Sequence, residues 1–530
     1  MKGFHPKATS APPSGFLQKY LPLLLIVALA ATVILPGLGK ASLNDWDEAI
    51  YSQISKEIMS GGDWLTLHWG YQSWFEKPPL LMWGTAILYR FFGISEFSSR
   101  LISALAGIAV VGVVFLIADL LYDALVGIVA SIVLLTGSEF VYRARFGTMD
   151  VLLALFIFLA IYGYLRLEKG NQGWWYLVAV SCALAVMTKG AAAVIAPAVV
   201  GFCMFVDGSI RSALRSRHFW QALALALLIA GPWHALMLVR HGREFLNTYL
   251  GRHVIARALM PIHTYYQGGR LFYVTVLEDE YFPWFFVVPF AVAVALRSVV
   301  RKQLPQVRIV LFTAALVFGL YTIVQTKFPW YIVPLYPALS ILSAALIVQA
   351  LRKTQSMAFS GLIVASFFSA LLAPVKLVVL AAAGLLVCLL ITRYSGKAEL
   401  ASRPAGFTLV LFLLASAIGK LPPVYQRGES PIARLGRMAA GATSADREPI
   451  VILDRPYGGT PGPSLLFYSN RPVEWARSRE DLPQFINGSQ SKRAIFAQNE
   501  LQDLSRDYQI QVVAESGPLV YALMRPIALR

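Results

Sequence analysis

Apolar runs of about bilayer length recur along most of this chain, and they limit its fold more than any other feature. They lie near 20–39, 98–121, 124–142, 149–166, 173–188, 190–206, 219–239, 282–297, 309–325, 330–350, 357–373, 376–392 and 406–421. About 20 residues cross the hydrocarbon core as a helix. A backbone exposed to lipid must satisfy its own hydrogen bonds, which leaves helices and closed barrels. The runs therefore predict a mainly α, polytopic transmembrane helical bundle of about thirteen spans. Composition agrees: 57% of residues are hydrophobic and 14% charged, where an ordinary soluble domain has about 25% charged.

The formal net charge of +17 does not point to nucleic acid, because basic residues gather in cytoplasmic loops of membrane proteins. If the run 79–92, which is short and follows Pro78-Pro79, lies along the membrane surface, every cytoplasmic loop is basic. These loops carry Arg166 and Lys169; Arg211, Arg215 and Arg217; Arg297, Arg301, Lys302 and Arg308; Arg352 and Lys353; and Arg393, Lys397 and Arg403. Counting 79–92 as a span would turn all of them outward. Lys2, Lys7 and Lys19 precede a first run too long for a signal-peptide core, so the run reads as a signal anchor with a cytoplasmic N-terminus. The three cysteines sit inside apolar runs and read as small core residues.

The same parity puts several polar segments on the outer face: the loops 40–97, 142–150 and 240–281, with Thr188-Lys189-Gly190 and Gln325–Tyr331. Bases there run against the positive-inside trend. Bases near helix ends can snorkel, but an anionic substrate accounts for the whole set. From 423 to 530 the apolar runs stop, and short β-like runs at 449–453, 464–468, 493–497, 510–514 and 519–524 with a helix-like 499–507 predict a small C-terminal α/β extracytoplasmic domain beside the 1–422 membrane domain.

The opening loop is the densest in chemistry. It carries Asp45-Trp46-Asp47-Glu48, then Gly62-Asp63-Trp64, then Phe75-Glu76-Lys77-Pro78-Pro79, and connections this long tend to be functional. A carboxylate can take a proton from an acceptor group, and lysines or arginines can stabilise an anionic leaving group; carboxylates among lysines and arginines in these loops supply both.

Asp47-Glu48-Ala-Ile-Tyr51, Phe75-Glu76-Lys77-Pro78-Pro79, Glu96–Arg100, Arg145-Phe-Gly-Thr-Met-Asp150, Thr188-Lys189-Gly190 and Thr326-Lys327-Phe328-Pro329-Trp330-Tyr331 occur in that order. In these motifs the chain resembles the ArnT-like branch of the GT-C polytopic glycosyltransferases, related to the protein O-mannosyltransferases. The resemblance covers about residues 20–350. It implies Asp47 as the loop aspartate that acts as base or orients the acceptor, with Asp150 as its partner, although Asp is also a favoured helix N-cap. Asp45 departs from the family's strongest position and reads as a cap or a group behind the site.

The resemblance further implies that Lys77 meets donor phosphate and that Glu76 shares a divalent cation (Zn, Mg or Mn) with a later outer-loop histidine, His253 or His263, near Arg252, Arg257 and Arg270. Arg143, Arg145, Lys189 and Lys327 are candidates to neutralise phosphate, since a guanidinium fork or an ammonium suits its oxygens. Tyr51 is a candidate substrate hydrogen-bonding group, and Tyr331 is placed to shape the polyprenyl groove.

The implied activity is transfer of a monosaccharide from a polyprenyl-phosphate donor, undecaprenyl in a bacterium, at the outer face of the cytoplasmic membrane. The acceptor would be a lipid, a glycan or a protein, aminoarabinose-type transfer to a lipid A-like phosphate leading and protein O-mannosylation second. No nucleotide cofactor is expected. A flippase for lipid-linked sugars would carry ionisable residues inside its spans, whereas here the acids lie in the loops.

Overall fold

The computed structural model describes residues 16–167, 170–260, 269–353, 356–395, 398–421, 428–441, 448–453, 462–487 and 490–527. The apolar runs form helices. The first is α1 (Phe16–Ile34), followed by α2 (Asp47–Gly61), α3 (Leu80–Phe92), α4 (Glu96–Leu121), α5 (Ala124–Leu135), α6 (Ser138–Ala144) and α7 (Asp150–Leu167). Next come α8 (Trp174–Lys189), α9 (Ile195–Val206), α10 (Ile210–Arg215), α11 (Arg217–Leu246) and, after a π-helical stretch Asn247–Ala256, the single turn α12 (Arg257–Leu259). The bundle continues through α13 (Phe272–Glu280), α14 (Trp284–Val300), α15 (Arg308–Ile323), α16 (Leu335–Arg352), α17 (Met357–Leu372), α18 (Val375–Ser395) and α19 (Ala398–Lys420).

Among the described residues, six helices are long and apolar enough to cross a membrane, or up to eight if each of two bent pairs is one span. The run at 124–142 is one such pair: it breaks by 76° between α5 and α6. Gly137 is extended there (φ −79, ψ 114) and packs against Tyr281. The other pair bends by 113° between α13 and α14, just ahead of the run at 282–297. With 13 residues, α3 is about 20 Å long, too short to cross a core of about 30 Å.

The stretch Trp174–Val206, 33 residues long, reverses direction partway. Lys189 meets Asp150 at the start of α7 (2.5 Å), while Asp207, just beyond α9, accepts from Tyr164 near the end of α7 (2.7 Å). The chain must turn back between them, and Gly190 (φ 55, ψ −119) makes the turn. The two expected runs 173–188 and 190–206 are accordingly two antiparallel helices.

The C-terminal segment begins with α20 (Pro431–Gly441) and builds a five-stranded sheet. Its strands follow a hairpin elsewhere, β1 (His68–Trp69) and β2 (Gln72–Ser73); they are β3 (Ile450–Leu453), β4 (Val473–Ala476), β5 (Lys492–Ala497), β6 (Tyr508–Ser516) and β7 (Leu519–Pro526), in the order β4-β3-β5-β7-β6. β3 runs parallel to β4 and β5, and the other pairings are antiparallel. Each face of the sheet has its own apolar core. The expected strand at 464–468 is instead a helix, α21 (Pro463–Ser469), with proline at its first turn, the position where a missing N–H costs nothing. β4 supplies a strand that the sequence pattern did not reveal.

Candidate active site

The site gathers where the starts of α2 and α7, the end of α8, the loop before α3 and the π-helical stretch after α11 meet. Asp47 opens α2 and sits half-buried. Burial pushes its carboxyl pKa up, opposed first by Lys77; Asp150 adds to the rise, and Lys189 and Arg257 oppose it. Glu76 is likewise raised by burial, against the pull of Lys77 and Arg257. Burial, helped by Arg257, brings the Lys77 ammonium down to about 8. Residues from five distant stretches of chain thus feel one another's charge.

Asp150 is buried and bound to Lys189, whose Nζ lies 2.5 Å from Oδ1 and 4.8 Å from the centroid of the Tyr331 ring. The Arg257 charge acts on the Tyr331 hydroxyl, opposing the rise that burial causes. Tyr51 is buried one turn beyond Asp47, edge-on to Trp74, and its hydroxyl is held well above the usual range by burial and then by Asp47.

Arg257 reaches the site because α11 breaks at Gly242 (φ 50, ψ −120), a backbone region that favours glycine. Past the break, the stretch 243–260 brings His253 and Arg257 to the cluster and is stitched to the segment before Lys327. Gln325 N donates to Ala258 O (3.2 Å), Thr326 N to Arg257 O (3.2 Å) and Thr326 Oγ1 to Met260 O (3.0 Å). Exposed Arg252 lies on this stretch, near enough to act on Glu76.

The remaining candidates sit differently. Arg143 pairs with Glu139 (2.7 Å) and lies over Trp330 (4.4 Å), behind Asp150. Arg145 is buried and donates to Ile34 O at the end of α1 (2.5 Å), as a base capping free helix carbonyls does. Lys327 is buried with its Nζ on Val324 O (2.6 Å). Arg270 is exposed ahead of α13 and makes no ion pair among the described residues. His263 lies outside the described residues.

Two donors suit a cation. His253 Nε2 is 3.5 Å from Glu76 Oε1, a separation that a carboxylate oxygen and an imidazole nitrogen at about 2.0–2.2 Å from a common ion can have. Both ring nitrogens of His253 are buried with no hydrogen-bond partner among the described residues. Buried imidazole nitrogens are ordinarily satisfied, so this pair fits a ligand role. Among the described residues no group of three or more His, Cys, Asp or Glu forms a cage, and further ligands would have to come from water or substrate.

Glu48 and Arg100 organise the site, and the sequence did not single them out as functional. Arg100 Nε meets Glu48 Oε1 at 2.7 Å with both side chains buried. Glu48 also accepts from Asn44 N (2.7 Å) and from Gly147 N (2.9 Å). Arg100 donates to Leu38 O, Ala41 O and Ser42 O. One carboxylate therefore ties the Asp47 loop to the Asp150 loop. Gly147 has to be glycine for this, since a Cβ would press on Ser99 O. Both residues stand in the motifs quoted above, and a charge pair 52 positions apart was the available signal.

The family model for Dolichyl-phosphate-mannose-protein mannosyltransferase matches residues 76–235. An undecaprenyl phosphate-alpha-4-amino-4-deoxy-L-arabinose arabinosyl transferase of Serratia proteamaculans is 26% identical over 329 residues, 61% of this chain and 58% of that protein. The chain thus matches under two thirds of the length of that curated relative. The crystal structure of ArnT from Cupriavidus metallidurans bound to undecaprenyl phosphate superposes with a TM-score of 0.72 at 21% identity, covering 95% of this chain and 98% of that one. The oligosaccharyltransferase AglB of Archaeoglobus fulgidus follows at 0.56 and 13% identity, covering 92% and 70%. In fold, the chain resembles that ArnT along nearly its whole length.

Proposed function

We propose that this protein transfers a monosaccharide from a polyprenyl-phosphate donor, undecaprenyl in a bacterium, to an acceptor hydroxyl or phosphate, with aminoarabinose-type transfer to a lipid A-like acceptor as the leading case. The observation that carries the reading is the half-buried Asp47 carboxylate among Lys77, Lys189 and Arg257. Asp47 takes the acceptor proton, and its raised pKa makes it a stronger base than an ordinary carboxylate; such catalysis is worth about 10²–10⁴-fold. Lys77 and Arg257 face the donor phosphate, where fixed positive charge stabilises the departing anion. Lys189 neutralises Asp150 (2.5 Å), which leaves Asp47 as the carboxylate free to act. Tyr331, whose ring faces the Lys189 ammonium, borders the donor's first isoprene units.

Glu76 and His253 would hold a divalent cation, which when bound adds positive charge at the phosphate. The reading also carries thirteen spans, a cytoplasmic N-terminus, residues 1–422 as the membrane domain, and residues 423–530 on the same outer face as the site in the cytoplasmic membrane. The reversal at Gly190 supports counting 173–188 and 190–206 as two of them. The test is purified protein given radiolabelled polyprenyl-phosphate sugars in turn, with Asp47→Asn as control. Release of polyprenyl phosphate that depends on Asp47 supports the reading, and equal turnover by the variant sinks it.

A further inference from the structure

Asp47 follows a residue in an unusual conformation. Trp46 has φ 67 and ψ −122 and is 63% exposed. Residues with a Cβ adopt such a backbone only where the surroundings impose it. The indole is mostly in solvent, so its own packing cannot impose this backbone, and the restraint has to come from the neighbouring residues.

On the C-terminal side of Trp46 the restraint is local: Ile50 N donates to Trp46 O (2.8 Å) and Ala49 N to Asn44 O (3.1 Å), as α2 begins. On the N-terminal side it comes from the far end of the chain. Asp45 Oδ1 accepts from Ser464 N in the first turn of α21 (2.8 Å). The Tyr468 hydroxyl accepts from Leu43 N (2.7 Å) and donates to Glu96 (2.9 Å). Arg437 of α20 pairs with the same Glu96, and Ser430 N donates to Ser42 Oγ (2.9 Å). Lys56, on α2 itself, donates to Phe467 O (2.6 Å). Leu43, Ala49 and Tyr89 share a buried apolar cluster with Ala433, Phe467 and Tyr468. Residues 42–45, which lead into the strained position, are thus bonded almost one by one to residues 430–468.

We infer that the C-terminal α/β unit is a clamp on the acidic loop, and that Asp45 and Tyr468 are positioning residues that set where the Asp47 carboxylate points. The inference rests on the transferase reading for its effect on turnover, but the clamp itself can be read without activity. Releasing it lets Trp46 relax toward an ordinary backbone and swings Asp47 off line. A displacement of about 1 Å in a reacting group can cost on the order of 100-fold in rate.

The experiment compares the full-length protein with Asp45→Ala, Asp45→Asn and Tyr468→Phe. Hydrogen exchange of residues 42–50 is followed in all four, along with kcat and KM for the radiolabelled donor. Asn keeps the side-chain oxygen that Ser464 N needs, so Asp45→Asn is expected to exchange and turn over like the wild type. Asp45→Ala and Tyr468→Phe are expected to speed exchange across 42–50 and to lower kcat on the order of 10- to 100-fold, with the donor KM unchanged. Unchanged exchange in both would overturn the clamp. Faster exchange with wild-type kcat would overturn the positioning role. Should the wild type turn over no donor, the transferase reading fails while the exchange result still decides whether the loop is clamped; a misfolded alanine variant leaves Tyr468→Phe to decide both.

Discussion

At the scale of single residues, the site is a balance between one free carboxylate and the cations that crowd it. Asp47→Asn should lower turnover by about 10²–10⁴-fold while expression and thermal stability hold, as measured on purified protein. The pH profile should be bell-shaped. As the proposed base, Asp47 would have to lose its proton, and burial holds its pKa above the usual carboxylate value, so the acid limb should lie above the ordinary carboxylate range. As the proposed phosphate partner, Lys77 would have to keep its proton, and with its pKa at about 8 the rate should fall as pH rises through that value. Lys77→Arg should push the alkaline limb upward, because a guanidinium stays charged throughout. Chelation should lower activity that added cation restores in the wild type but not in His253→Ala; chelator-insensitive turnover would remove the metal from Glu76. Charged groups in loops beside apolar runs made Asp47, Lys77, Asp150 and Lys189 stand out in the sequence, and the structure brings these four together. It could not show where each base points, and Arg145 and Lys327 turn to backbone carbonyls, which side-of-membrane parity alone does not reveal.

At the scale of elements, glycines at positive φ decide how helices deliver these groups. Gly190 reverses the chain directly after Lys189, and a Cβ there would run into the Tyr249 hydroxyl. Gly190→Ala should therefore destabilise the fold, read as a lower melting temperature, and should loosen the Lys189–Asp150 pair. Helix existence was legible from run length, but breaks were not: the bend at Gly137 falls inside one apolar run. The misread 464–468 shows the same limit. Ser-Leu-Leu-Phe-Tyr is as apolar as a buried strand, and only the proline ahead of it signals a helix start.

Across the whole molecule, the Glu48–Arg100 pair joins α2, α4 and the loop before α7. Removing one partner of a buried ion pair strands the other charge and costs about 3–5 kcal/mol. Arg100→Ala should thus lower stability by that order in thermal unfolding, with Asp47 and Asp150 both displaced. Long-range pairing of this kind is invisible to local pattern, as are the contacts between residues 42–45 and 430–468. The two acidic loops carry recognisable motifs, whereas their scaffold is assembled from single residues scattered along the chain.

The stitching of Arg257–Met260 to Gln325–Thr326 has a mechanical meaning. Because three hydrogen bonds fasten the two strips together, lifting the one that bears Arg257 also shifts the one that leads to Tyr331. A group bound against either strip would therefore disturb both at once, and a reporter dye attached to either would register it.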